Sequence, residues 1–91
     1  MAVIHLEVTG RVQGVGFRWF VRERARALEL AGWVRNRDDG KLEVAAMGSE
    51  DALSVLISAV QDGPPGAAVR EVVHRQPPQD ADYPRPFSVR R

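Results

Sequence analysis

The apolar residues of this chain keep two different periods, and the order in which those periods follow one another leaves few folds open. Ala2, Ile4, Leu6 and Val8 alternate with Val3, His5, Glu7 and Thr9, the two-residue period of a half-buried strand with its even positions inward. Gly10 to Gly16 breaks the pattern. Helical spacing takes over from Phe17 to Leu30, where Phe17, Phe20, Val21, Ala25 and Leu28 share one face and Ala27 lies at its margin. Arg24 falls inside that arc, so it must snorkel or pair. Gly32 is expected to end the helical region. Trp33–Arg37 and Lys41–Ala46 read as strands joined at Asp38-Asp39-Gly40. Ser49 caps a second helix, with Glu50 and Asp51 suiting its first turn and Leu53, Leu56, Ile57 and Val60 as its apolar stripe. Gly63-Pro64-Pro65-Gly66 stops it. A strand over Ala68–Arg75, a polar proline-rich connector from Pro77 to Pro86, and a short closing strand, Phe87-Ser88-Val89-Arg90, complete the chain.

The order is βαββαβ with a short extra strand at the C-terminal end. It predicts an α+β, ferredoxin-like sandwich: an antiparallel sheet with both helices on one face. In that topology the first and second strands are parallel and the third lies between them. Their carboxyl ends therefore share one edge of the sheet, the edge where the first helix begins. Ninety-one residues make one domain, 1–91, with no room for a second core.

Composition excludes several classes of function. There is no cysteine, so disulfides, thiolate–metal sites and a thiol nucleophile are out. A net charge of +1 is too balanced for a nucleic-acid stripe, and the strands lack the paired exposed aromatics that stack bases. No apolar run approaches the roughly 20 residues needed to cross a membrane, and a soluble cytoplasmic protein is expected. Lys41 is the only lysine among thirteen cations; that bias toward arginine is a matter of composition and marks no site. Gly14-Val15-Gly16 is followed by no Gly-Lys-Ser/Thr and lacks the third glycine of a dinucleotide fingerprint. Asp38-Asp39-Gly40 lacks the later ligands of a calcium loop. His5 and His74 lie in strand patterns and read as structural, and Trp33 as core packing. Trp19 lies off the apolar arc, either lining a site mouth or standing as a partly exposed aromatic.

Chemistry concentrates in two places. Arg18 sits in the first turn of the first helix, where bare N–H donors and the positive end of the macrodipole make a cation mildly unfavourable. An anion held there reverses the sign. The glycine-broken loop, the free N–H groups and a fixed guanidinium together suggest a phosphate cradle.

Hairpin register brings in the second place. A two-residue turn at Asp39-Gly40 sets Arg35 opposite Val44 and Arg37 opposite Leu42. A three-residue loop over Asp38-Asp39-Gly40, with glycine left-handed, sets Val34 opposite Val44 and Asn36 opposite Leu42. Only the second keeps apolar residues together, so the second is expected. Asn36 then points to the helix-covered face, where an unpartnered amide costs roughly 1–3 kcal/mol. Two strand spacings of about 4.8 Å separate it from the first strand, a gap that suits a phosphate and a water between Asn36 and Arg18. Asn36 can equally bond turn backbone, as asparagine near hairpins often does.

Gly10-Arg11-Val12-Gln13-Gly14-Val15-Gly16-Phe17-Arg18 resembles the first signature of the acylphosphatase family. Gly32-Trp33-Val34-Arg35-Asn36, followed by Asp39-Gly40 and Leu42-Glu43, resembles its second, and Gly63-Pro64-Pro65-Gly66-Ala67 a further stretch. The resemblance covers essentially the whole chain. It implies a small free-standing hydrolase, a monomer, that converts an acyl phosphate to a carboxylate and inorganic phosphate with no metal or other cofactor. It also implies that Arg18 binds the phosphoryl group together with the backbone N–H groups of Gln13, Gly14, Val15, Gly16, Phe17 and Arg18, and that Asn36 holds the attacking water. A non-catalytic anion-binding module on the same fold is the competing expectation; it would keep Arg18 but need not keep an inward Asn36.

Overall fold

A computed structural model describes residues 1–91. Its elements are β1 (Ala2–Arg11), α1 (Phe17–Ala27), β2 (Ala31–Asn36), β3 (Leu42–Gly48), α2 (Glu50–Asp62), β4 (Ala68–Arg75) and β5 (Ser88–Val89). The sheet runs β4-β1-β3-β2-β5. Its four long strands pair antiparallel, so β1 and β2 are parallel with β3 between them, as the element order predicts. The short fifth strand departs from the antiparallel pattern and lies parallel to β2.

Alternation decides which face is covered. Leu6, Val8, Val34, Leu42, Val44 and Ala46 meet Phe17, Val21 and Ala25 of α1, Leu53, Leu56 and Val60 of α2, and Phe87. Each fully buried Val, Leu or Phe side chain in this layer contributes about 1.5–3 kcal/mol. The hairpin takes the three-residue loop: Val34 lies opposite Val44, Asn36 opposite Leu42, and Gly40 is left-handed at φ 90°. Both helices therefore cover one face, the face toward which Asn36 points.

Strand ends shift by one or two residues, with β2 at Ala31–Asn36 against the expected Trp33–Arg37 and β3 at Leu42–Gly48 against Lys41–Ala46, and three further differences have a physical reason. First, β1 continues to Arg11, because past Val8 it leaves β3 and follows β4 alone, with a bulge at Thr9/Gly10. Second, α1 stops at Ala27, not Leu30, and Gly32 lies inside β2. The stop is a Schellman turn: Leu30 N–H donates to Ala25 O at 2.9 Å and Glu29 N–H to Arg26 O at 3.0 Å, with Glu29 left-handed at φ 58°. Third, the closing strand shortens to Ser88–Val89, since Phe87 turns into the helix-side core and is fully buried.

The other face of the sheet is covered in part by the connector. Trp33 is buried there rather than among the helix-side residues, ring edge to His5 and stacked by Arg90. His5 is buried beside it and shares a 3.1 Å hydrogen bond with the Tyr83 hydroxyl. His74 is exposed on β4. Arg24 resolves its place on the apolar arc by lying over the Phe20 ring, 4.9 Å from the centroid.

Candidate active site

Two buried side chains hold the loop between β1 and α1 by its ends. Val12 and Phe17 are each 1% exposed, while Gly14 and Gly16 between them are exposed. Both glycines are left-handed, at φ 74° and 76°. A Cβ at either position would meet nothing, so backbone conformation and not space calls for glycine there. Val15 packs in part against the core. The result is a loop anchored at both sides by buried side chains, with its glycines exposed between them.

The two helices of this chain begin very differently. Ser49 caps α2 by accepting from Ala52 N–H at 3.1 Å, with Glu50 and Asp51 in the first turn. At α1 the N-cap is Gly16, which offers no side-chain cap, and the first turn holds no acidic residue. The positive end of α1 is thus left without an internal anion, and Arg18 in that turn adds another positive charge. Arg18 is half-buried and forms no ion pair within the chain. Such a terminus favours an anion from outside.

Arg18 and Asn36 line one cleft of about 320 Å³, together with Gly14, Gly16 and Phe17 of the loop. Asn36 is the last residue of β2. Its Oδ1 is buried and has no hydrogen-bond partner, so Asn36 does not bond the turn. Leaving an acceptor in that state costs about 1–3 kcal/mol.

Sequence reasoning missed part of this wall. Val89 and Arg91 line the same cleft because β5 joins the sheet beside β2. That pairing is non-local and leaves no mark on the local pattern. Trp19 also lines the cleft and is 61% exposed, with Arg22 over its ring at 4.6 Å. It borders the cleft and is largely exposed, so both of the readings its pattern allowed are met.

A larger hollow of about 470 Å³ lies on the opposite face, among His5, Trp33, Arg35, Glu43 and the connector. Its cations are already neutralised: Arg35 pairs with Glu43 at 2.7 Å, Arg75 with Glu7 at 3.3 Å and Arg90 with Asp82 at 2.8 Å. It is the bigger space but the poorer anion site.

The sequence model of the acylphosphatase family matches residues 4–89 of this chain. An acylphosphatase of Bacillus velezensis is 43% identical over 89 residues, 98% of each chain. An acylphosphatase of Acidiphilium cryptum is 47% identical over 85 residues, covering 91% of this chain and 93% of that one. The crystal structure of an acylphosphatase from Bacillus subtilis superposes over the whole of both chains with a TM-score of 0.84 and 41% identity.

Proposed function

The chain belongs to the acylphosphatase family, which hydrolyses acyl phosphates to a carboxylate and inorganic phosphate, and from that premise we propose that Arg18 and the loop Gln13–Arg18 hold the phosphoryl group while Asn36 steers a water onto phosphorus. The observation that carries the assignment is that Arg18 of α1 and Asn36 of β2 line one cleft together with Gly14, Gly16 and Phe17 of the loop.

The reaction suits so small a set of groups. An acyl phosphate expels a carboxylate whose conjugate acid has a pKa near 4, so no proton need be given to the leaving group. What remains is to neutralise charge on the equatorial oxygens and to align a water in line with the breaking bond. The Arg18 guanidinium offers a forked donor, and the N–H groups of Gln13, Gly14, Val15, Gly16, Phe17 and Arg18 offer a ring of peptide dipoles. The Asn36 carboxamide hydrogen-bonds the water and orients it. In a loose transition state little bond to water has formed, so the water keeps its protons until late and a strong base is unnecessary.

No step in this scheme passes through a metal. On the same reading residues 1–91 work as one unit, a cytoplasmic monomer. Its partners are a small acyl phosphate and the inorganic phosphate it releases, and neither nucleic acid nor a membrane takes part.

Hydrolysis of benzoyl phosphate in ¹⁸O-water, with and without a chelator, tests the scheme. We expect the rate to be unchanged by chelator and the label to enter phosphate. Label in benzoate would mean attack at carbon, and loss of rate with chelator would mean that a metal takes part; either contradicts the scheme.

A further inference from the structure

We infer that the Gln13 side chain is a positioning residue that sets the distance between the phosphate loop and Asn36. This rests on the functional reading above and adds to it a role for a side chain whose backbone N–H alone entered the scheme.

The geometry is specific. Gln13 Nε2 donates to Arg37 O at 2.8 Å and to Lys41 O at 3.1 Å. Those two residues close the β2–β3 hairpin, for Arg37 N–H donates to Lys41 O at 2.8 Å. One amide nitrogen thus spends both of its hydrogens across the mouth of the hairpin, one residue beyond Asn36. A primary amide supplies two N–H groups without bringing in a charge.

Topology explains why such a tie is needed. β1 and β2 are not neighbours, since β3 lies between them. The β1–β3 ladder ends at Val8 opposite Leu42, and the β2–β3 ladder ends at Asn36 opposite that same Leu42. Beyond Val8 the chain runs along β4 alone as far as Arg11, and then enters the loop. No backbone ladder therefore joins the loop to the strand that ends in Asn36. Glu7 links the hairpin to β1 through Arg37 at 2.7 Å, but it does so before the loop begins. Gln13 is the bond that reaches from the loop itself. In-line attack is sensitive to errors on the order of 1 Å between the held phosphoryl group and the water, and this separation is what the two bonds fix.

If Gln13 acts by placing Asn36, its loss should matter only while Asn36 is present. The test is a double-mutant cycle on benzoyl phosphate hydrolysis with Gln13→Leu and Asn36→Ala, alongside binding of inorganic phosphate. We expect Gln13→Leu to lower kcat by about 10- to 100-fold, the upper figure being the loss for a misplacement of about 1 Å. Its affinity for phosphate should stay within about threefold, because Gly14, Gly16 and Arg18 remain. In the Asn36→Ala background the same change should cost less than about twofold. An equal loss in both backgrounds, an unchanged kcat, or a matching loss of phosphate affinity overturns the inference alone. An Asn36→Ala enzyme with full kcat overturns the functional reading and this inference with it.

Should Gln13→Leu fail to fold, Gln13→Glu carries the question. A carboxylate facing two carbonyls repels them, whereas a protonated carboxyl restores one donor. Its kcat relative to wild type should therefore recover as pH falls. A ratio that stays flat with pH contradicts the clamp.

Discussion

Asn36 places an unpartnered polar atom inside the fold. Its carboxamide oxygen is buried without a partner, on a face otherwise occupied by Val34, Leu42 and Val44. A strand position so placed prefers a β-branched apolar residue. Removing the orphaned acceptor should offset whatever contacts are lost. Asn36→Val is therefore expected to melt no lower than wild type while turnover of benzoyl phosphate falls. A thermal denaturation curve shifted down by 5 °C or more, roughly 1 kcal/mol for a domain of this size, would show that the side chain supports the fold instead. The position was legible in advance because pairing apolar with apolar chose between two hairpin registers. Arg18 was legible through helix electrostatics, as a cation at the end where cations are disfavoured. Arg91 was not, because nothing around it in the chain says which strand β5 will join.

At the scale of elements, the two ends of α1 follow different rules. Its beginning has glycine where α2 has a capping serine, and no acidic residue in its first turn. Its end holds Glu29 in a left-handed conformation at φ 58°, which costs a non-glycine residue roughly 1–2 kcal/mol. Glycine, or asparagine at lesser gain, suits that place. Glu29→Gly should raise stability by about 1 kcal/mol, shifting the melting temperature up by roughly 4–8 °C. A lower melting temperature would mean that the Glu29 side chain contributes something that offsets its strain. The same feature explains why the sequence misled: with no glycine at the stop, helical spacing ran on to Leu30, and Gly32 drew the boundary into what is a strand. Local patterns report helix stops through the residues that favour them, and this turn uses one that does not.

For the whole molecule, the two faces of the sheet carry different duties. The helix side holds the core and, at its edge, the cleft with Arg18 and Asn36. The other side holds charge pairs and the buried ring of His5 under the connector. The connector read as polar and irregular, and its packing on His5 rests on Tyr83, while Arg90 beyond it lies over Trp33, both far away in sequence; no period announces such contacts. Burial lowers the His5 imidazole from its ordinary 6.5, against a smaller upward pull from Glu43. Below about pH 6.5 the unfolded chain takes up a proton that the folded chain resists, so stability falls as pH drops from there until the folded imidazole titrates. Glu7 acts further down. Burial pushes its carboxyl up, but hydrogen bonds from Arg37 and Arg75 outweigh this and hold it below the ordinary 4.5. The stability it supplies is present above that value and is lost as pH falls through its folded value. Urea midpoints of wild type should thus decline from pH 6.5 toward 5, with a flatter profile in His5→Gln. Parallel profiles would remove His5 as the cause.

Arg18 and Asn36 divide the work between binding and attack, and paired measurements of phosphate affinity by calorimetry and of kcat on benzoyl phosphate separate them. Arg18→Gln should lose both together, by at least about 10²-fold. Asn36→Ala should lose turnover while its phosphate affinity largely survives. Equal phosphate affinity in wild type and Arg18→Gln would contradict the account.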